Sequence, residues 1–577
     1  MNTKNKLLFI LQALFSFCCF SMLSETDAYY TPYLICFGVS LLFIYINSEN
    51  CYSFIASQTF TRQCILIFSS LFSMLIVLSN YSLWAESEGI RFFRLGIILF
   101  GSWISFFNIF YGISNHINSL YLAAKDYRIS SLPIGVLSFI IISSIHMLIL
   151  FLCKYPGNLS YDSIAQISQI ITNTYTNHHP FYHTITIKFF IWLGMSLFDD
   201  INVGVCMYSV FQILFMSACF SFAIDTLEKL QMSRRILIAL IIYFSLMPFH
   251  IMYSFTMWKD VPFSGFSLLL IIFLFRCLYF HRTFFNCLGF FISGIGLCLF
   301  RSNGFFVFLF TCLIFLFTWK FQEKSLLLLM FSIILISFFM KHSLLNRINV
   351  SQPDIAESLS IPLQQICRVV VDHNDLSEDE SALLNDVIEV QQIPDYYLSY
   401  ISDPMKILLR GKGNEDLLSQ NKSAYLKLYI SLGLRHPFTY LKAWIDQTKG
   451  YWNSGYSYWV WTDEVRENDY GIIRSSHLIS FNNIFNRYLS LFSASSILQL
   501  FVSIGLHVWL LLICLFISLL KRDRIGVTLC IPTLATILSL LIATPVFAEF
   551  RYAYSLFCTL PFLLPIALRS KSAFEPN

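Results

Sequence analysis

Fifteen stretches of nearly unbroken apolar residues alternate with short polar ones along the chain, and one long polar segment interrupts them. A helix that crosses the hydrocarbon core of a bilayer needs about 20 apolar residues. By that standard the runs fall near 7–23, 30–47, 65–84, 92–112, 133–153, 181–198, 202–224, 236–256, 261–280, 284–300, 304–320 and 325–341. Three more follow the polar segment, near 498–520, 525–545 and 553–569. The pattern predicts an all-α polytopic membrane protein. The first run follows Lys4 and Lys6, but no small-residue cleavage site comes after it, so it reads as a retained anchor rather than a signal peptide.

Composition narrows the class. Of 577 residues, 56% are hydrophobic, 60 are Phe and only 12% are charged, about half the charged share of a globular protein. No soluble core buries that much apolar surface, which excludes a cytosolic enzyme, a disordered chain and a secreted disulfide scaffold. A net charge of +4 gives no argument for nucleic acid. Nearly all of the sixteen Cys lie in apolar runs, as Cys18, Cys19, Cys219 and Cys312 do, and only Cys367 falls in the polar segment. No disulfide framework is implied.

Lys and Arg mark the loops kept in the cytoplasm. Counting back from the end, Arg569 with Lys571, then Lys521, Arg522 and Arg524, Lys320 with Lys324, Arg276 with Arg282, and Lys229 with Arg234 and Arg235 are inside. Lys4, Lys6, Arg62, Lys125 and Arg128 also read as inside, and Glu25, Asp27, Glu86 and Glu88 as outside. The two halves join only if one run stays on the surface. The run 181–198 carries His183 and Lys188 and opens with His178-His179-Pro180, so it is assigned as an interfacial helix on the outer face with Lys188 snorkelling. About fourteen spans result, with both termini cytoplasmic.

The polar segment 342–496 is then external. It holds 18 of the 34 acidic residues but 13 of the 38 basic ones, as a water-exposed domain would. Ser377-Glu378-Asp379-Glu380 reads as a capping box, with Leu383, Leu384, Val387 and Ile388 following at helical spacing. Gly433 followed by Pro437 reads as one helix ending and another starting. A mainly helical external domain is expected.

Polar residues that topology does not require gather on that same outer face. They are Tyr155-Pro156-Gly157 through Asp162 and Gln166, then His178-His179-Pro180, Trp258-Lys259-Asp260, Arg301-Ser302-Asn303-Gly304 and Glu549-Phe550-Arg551-Tyr552. Asp162 and Asp260 are carboxylates at membrane-edge depth, where partial burial tunes a pKa for general-base work. Lys259, Arg301 and Arg551 are the residue types that neutralise phosphate oxygens. Gly157 and Gly304 allow either close approach to a ligand or a tight turn. Trp444, Trp452, Trp459 and Trp461 offer a stacking surface for a sugar or lipid, or a membrane-interface belt. Such chemistry outside the cell needs an activated donor that has already crossed, and a polyprenyl-phosphate sugar meets that need.

In order along the chain, Tyr155-Pro156-Gly157 with Asp162 and Gln166, His179-Pro180, Trp258-Lys259-Asp260 and Arg301-Ser302-Asn303-Gly304 form a pattern. It continues with Ile361-Pro362-Leu363-Gln364-Gln365, Asp403-Pro404-Met405-Lys406 and Glu549-Phe550-Arg551-Tyr552. It resembles an uncharacterised family of bacterial multipass proteins and, more distantly, the GT-C-fold glycosyltransferases that use lipid-linked sugars. The likeness covers roughly 133–569. It implies a bacterial plasma-membrane enzyme with Asp162 as base, deprotonating an acceptor hydroxyl that displaces polyprenyl phosphate with inversion. Asp162 itself belongs to no Asp-Asp or Asp-x-Asp pair, so a divalent metal stays open and no other cofactor is required.

Each residue also has a plainer reading. Asp162 suits a helix N-cap, Lys259-Asp260 a self-contained ion pair, and Glu549 a partner for Arg551. Arg301 and Arg551 suit headgroup anchors. His178 and His179 suit a metal site or a hydrogen-bonded loop, and Gln364, Gln365 and Arg368 an acceptor-facing stripe or a solvated face. His250 and His507 read as buried, hydrogen-bonded side chains.

The expected organisation is a four-span bundle over 1–132, a GT-C-like catalytic module over 133–341 with its loop at 154–200, the helical domain 342–496 and a three-span segment over 497–577. The expected function is transfer of a sugar from a polyprenyl-phosphate donor to an extracytoplasmic envelope glycan. Asp162 and Asp260 are the catalytic candidates, and Lys259, Arg301 and Arg551 the donor-phosphate ligands. Tyr155, Gln166, His179, Trp258, Asn303, Glu549 and Tyr552 form the surrounding shell. The partners are donor, glycan acceptor and bilayer, with no nucleic acid. A polymerase of lipid-linked oligosaccharides and a lipid-linked glycan flippase are the alternatives.

Overall fold

A computed structural model of the protein describes residues 3–25, 30–48, 58–117 and 133–569. Asp27, Lys125, Arg128 and Lys571, used above to orient the chain, lie outside the described residues. All fifteen apolar runs are helical, because a backbone in hydrocarbon must satisfy its own peptide groups. Among the described residues, eleven helices are long and apolar enough to cross a membrane. A pair bent by 55°, Arg234–Leu246 with Pro248–Ser254, makes a twelfth if it is one span. Phe284–Phe300, Gly304–Trp319 and Ile504–Leu520 are apolar but shorter. Six isolated bridges are the only extended pairing among the described residues. The protein is thus an all-α, multi-pass membrane protein.

Phe181–Phe198, expected on the interface, passes the same length and apolarity test as the spans. Its Lys188 reaches back to the Tyr175 hydroxyl, 2.7 Å away in the polar loop before the helix. It turns at Asp199 and packs on Ile201–Lys229, with Gly194 so close to Gly204 that no side chain fits between them.

The polar segment has its own apolar core, including Cys367, Leu384, Ile388, Met405, Leu409 and Leu432. Every described cysteine is free. The capping box at Ser377 forms, with Ser377 N–H to Glu380 Oε2 at 3.0 Å and Glu380 N–H to Ser377 Oγ at 3.2 Å. That helix, Glu378–Asn385, stops before Val387 and Ile388, which are still buried. The break near Gly433 separates Lys422–Arg435 from Pro437–Trp452, as the spacing predicts.

Two expectations about this segment are corrected. Gln364 and Gln365 are neither an acceptor-facing stripe nor a solvated face. Gln364 is buried and donates to the Leu398 carbonyl at 2.8 Å, and Gln365 donates to the Tyr440 carbonyl at 3.2 Å. Arg368 pairs with Asp446 at 2.6 Å. Trp444 and Trp452 are no sugar platform either. They stack on each other at 5.9 Å, and Trp444 donates to the Leu541 carbonyl of a span at 2.8 Å. Each side chain joins elements instead: Gln364 and Gln365 tie Ser360–Asp372 to other parts of the polar segment, and Trp444 fixes Pro437–Trp452 at the joint between that segment and the bundle.

That joint also holds the N-terminal bundle. Asp446 accepts from Tyr81 at 2.7 Å, and Asn453 donates to Tyr33 at 2.7 Å and Ser79 at 2.6 Å. Deeper, Phe72 packs on Trp509 at 5.5 Å and Phe68 on Phe516 at 5.1 Å. A Cβ added to Gly505 would collide with the Asn453 carbonyl, whereas one at Gly411 would meet open space. Gly505→Ala is therefore expected to cost about 2 kcal/mol or more by overpacking, read as a lowered Tm in detergent, with Gly411→Ala close to wild type.

Candidate functional site

The chain segment before Asp162 is pinned on both sides. Asn158 exchanges backbone hydrogen bonds with Phe255 (2.9 Å) and Met257 (3.0 Å), and its side chain donates to Thr256 Oγ1 and the Thr462 carbonyl, each at 3.0 Å. Arg474 donates to Asn158 Oδ1 at 2.5 Å. Gly157 has φ 132°, and a Cβ there would strike Ser209, so its close approach is to protein rather than ligand. Gly304 likewise presses on the Leu297 carbonyl at a tight corner. Residues 453–478 form a strap over this loop, bridging Tyr155 to Ser475 and Leu159 to Val465. Lys154, buried, binds Asp463 of the strap at 2.5 Å.

The helix Tyr161–Thr172 begins with Ser160 as N-cap, so Asp162 is not the cap. Ser160 N–H donates to Ser163 Oγ at 3.2 Å, and Ser160 Oγ accepts from Trp258 Nε1 at 2.6 Å. Asp162 in the first turn is left free to face Arg551, whose Nη1 lies 2.8 Å from Asp162 Oδ2. Arg551 Nε is also 3.5 Å from Glu549 Oε1. Arg301 Nε stands 3.3 Å from Asp260 Oδ1, and Arg301 Nη1 donates to the Tyr552 carbonyl at 2.9 Å. Lys259 and Asp260 do not pair with each other: Lys259 Nζ turns to His179 Nδ1 at 3.2 Å. Three cations thus meet three carboxylates at one end of the bundle. The Tyr552 ring lies 5.0 Å from both guanidiniums and Trp258 lies 5.3 Å from Arg551, contacts that favour cations where water is scarce.

Burial and charge pull these groups apart. Asp260 is 1% exposed and Arg301 8%, and neither Asp260 oxygen has a hydrogen-bond donor. Burial alone would raise the Asp162 carboxyl, but the charges of Arg551 and Lys259 outweigh it and hold Asp162 below the ordinary carboxylate range. Burial pushes Lys259 down, opposed by Asp162 and Asp260. Burial also pushes His179 down, helped by Lys259, so the imidazole is neutral. Glu549 goes the other way: burial, only partly offset by Arg551, raises its carboxyl to about 7. The cluster therefore contains one carboxylate locked ionised and one that titrates at neutral pH.

Glu549 is held from behind. Ala548 has φ 53°, an uncommon left-handed conformation for a residue with a side chain. Gly450 opposite it leaves room for the Ala548 methyl. Phe547 N–H donates to the Tyr400 carbonyl at 2.9 Å and Ser402 N–H to the Pro545 carbonyl at 2.8 Å. The polar segment thus sets the position of Glu549. Gln166 works at one remove as well. It donates to Thr184 at 2.8 Å and meets His183 at 3.1 Å, and His183 meets the Tyr208 hydroxyl at 2.6 Å. Tyr208 donates to Gln212, which caps the Tyr253, Ser254 and Thr256 carbonyls just before Trp258.

Asp162, His179, Trp258, Lys259, Asp260, Arg301, Glu549, Arg551 and Tyr552 lie together in one cluster. Tyr155 and Asn303 are engaged elsewhere, Tyr155 against His477 at 5.9 Å and Asn303 with Ser539 at 2.6 Å. His250 and His507 are hydrogen-bonded as expected, to Tyr554 at 2.9 Å and the Ser503 carbonyl at 2.8 Å. Among the described residues no group of three or more His, Cys, Asp or Glu is placed to hold a metal ion. Sequence reasoning missed Asn158, Lys154, Asp463 and Arg474; only Asn158, inside the quoted loop motif, carried any local signal.

Fold and site together define a polytopic all-α membrane protein with a charged cluster where its loops and its polar segment meet. Residues 169–575 match a family of unknown function, DUF6020, and the chain belongs to that family. No curated protein and no solved structure matches the chain. Asp162 and its preceding loop lie just before the matched stretch.

Two outcomes follow. Arg301→Ala leaves Asp260 buried without its cation and is expected to cost about 3–5 kcal/mol, with part regained in Arg301→Ala/Asp260→Asn; thermal melts of wild type, the two single variants Arg301→Ala and Asp260→Asn, and the double variant give the coupling. Glu549 binds its proton more tightly in the folded state than at its ordinary 4.5. Its contribution is then complete below about pH 4.5 and is lost as pH rises through about 7. Glu549→Gln should flatten that part of a Tm-against-pH curve.

Proposed function

We propose that the protein is a membrane glycosyltransferase of GT-C type, moving a sugar from a polyprenyl-phosphate donor to an extracytoplasmic envelope glycan in the bacterial plasma membrane. The observation that carries the reading is the grouping of Arg551, Arg301 and Lys259 with Asp162 at one end of a helix bundle. A lipid whose tail stays in the bilayer brings its phosphate to that depth. With Phe181–Phe198 on the interface, the Lys/Arg bias of the loops puts this end on the outer face and both termini in the cytoplasm, and the resemblance over 133–569 makes residues 1–132 an added bundle.

In this mechanism Arg551 changes partners. In the free protein its guanidinium occupies Asp162; donor phosphate draws it away, and Asp162 recovers basicity. Asp162 takes the proton from the acceptor hydroxyl, whose oxygen forms the new bond to the anomeric carbon. The bond from that carbon to the phosphate oxygen breaks, its electron pair leaves with polyprenyl phosphate, and the centre inverts. Arg301 and Lys259 stabilise the leaving phosphate, an electrostatic effect strengthened by burial. No step calls for a cofactor.

A lipid-linked glycan flippase is the second reading, favoured by the bend between Arg234–Leu246 and Pro248–Ser254 and by His146, a histidine buried within an apolar span. Asp162→Asn separates the two. Transfer of radiolabelled sugar from a polyprenyl-phosphate pool in matched membranes should fall on the order of 100-fold or more. Undiminished transfer would remove Asp162 from the chemistry, and translocation of a lipid-linked glycan by wild type without transfer would favour the flippase. For the topology, Tyr161→Cys, at a position 67% exposed, should react with an impermeant maleimide added from outside, whereas Trp258→Cys, at a position 3% exposed, should not.

A further inference from the structure

The three carboxylates of the cluster are not equivalent. Asp162 is bonded to Arg551 at 2.8 Å, and Asp260 faces Arg301 at 3.3 Å. Glu549 has the longest pairing, 3.5 Å, and its partner is the same Arg551 that already binds Asp162. Its other neighbours are acidic. Asp260 and Asp162 face it from Asp260–Tyr279 and Tyr161–Thr172, and Asp403 from Asp403–Gly411. Tyr253, Tyr451 and Tyr458 surround it from Pro248–Ser254, Pro437–Trp452 and the strap, with Tyr552 on its own helix. Arg551 is the one cation among the groups that act most strongly on it.

A phosphate entering such a site adds negative charge and takes Arg551 with it, so Glu549 loses its cation as it gains an anionic neighbour. Resting on the reading that this cluster binds a lipid phosphate, we infer that phosphate and a proton enter together, the proton resting on Glu549. The carboxylate takes the proton from solvent, and no bond to the ligand is made or broken. Three cations then stand against two carboxylates, which leaves the site net positive for the phosphate. Burial, which already brings this carboxyl to about 7, makes the uptake inexpensive at neutral pH.

The test uses the purified full-length chain with two probes, undecaprenyl phosphate in detergent micelles and inorganic phosphate. Wild type is expected to bind undecaprenyl phosphate on the order of 5–10-fold more tightly near pH 6 than near pH 8. Calorimetry in two buffers of different ionisation enthalpy should count a fraction of a proton taken up near neutral pH. Glu549→Gln is expected to bind no more tightly at the lower pH, because a phosphate monoester itself loses charge there. The same pH dependence in Glu549→Gln, or binding by wild type without proton uptake, overturns the inference and leaves the lipid-phosphate reading standing. If the variant fails to fold, the wild-type proton count decides alone. Inorganic phosphate equalling the lipid in affinity and proton uptake keeps the inference and overturns the lipid source. Binding of neither probe at any pH overturns both.

Discussion

Charges can be kept inside a protein only when they are neutralised in place, because the desolvation cost of an unpaired buried ion is several kcal/mol. Much of this molecule follows from that requirement. Asp162 meets Arg551 from a chain segment hundreds of residues away, Glu549 shares that Arg551, Asp260 meets Arg301, and Lys259 turns to His179. Pairing over such distances works only if each loop is held to within a fraction of an ångström. The hydrogen bonds of Asn158, the close approach at Gly157, the left-handed turn at Ala548 and the strap 453–478 supply that hold.

The polar segment is part of the same device. Its helix Pro437–Trp452 is bonded to the spans through Trp444 and Gln447 and to the N-terminal bundle through Asp446. Residues 400–402 are bonded to 545–547, directly before Glu549. A segment that reads as a water-exposed domain therefore acts also as a clamp on the charged cluster, and movement of the clamp would alter the balance between Glu549 and Arg551.

The cluster is balanced but not symmetrical, and the proposed function draws on that asymmetry. In that proposal the guanidinium shared by Asp162 and Glu549 changes partners when an anion arrives. Such an exchange would couple ligand binding to the protonation of one residue and to the basicity of another without any large movement of the bundle.

The apolar runs were legible in the chain because hydrocarbon imposes a length and a composition on anything that crosses it, and that rule acts locally. The charged motifs were legible too, since Trp258-Lys259-Asp260, Arg301 and Glu549-Phe550-Arg551-Tyr552 interrupt apolar sequence where nothing local requires polarity. Partner choice was not. Lys259 and Asp260 are adjacent yet turn to His179 and Arg301, and Asp162 looks like a cap until Ser160 takes that role. Gln364 and Trp444 have the residue types of a binding surface and are consumed by a joint between elements. A residue's type and spacing determine what it can offer, but which neighbour accepts the offer depends on contacts between distant segments, and only the tertiary structure decides those.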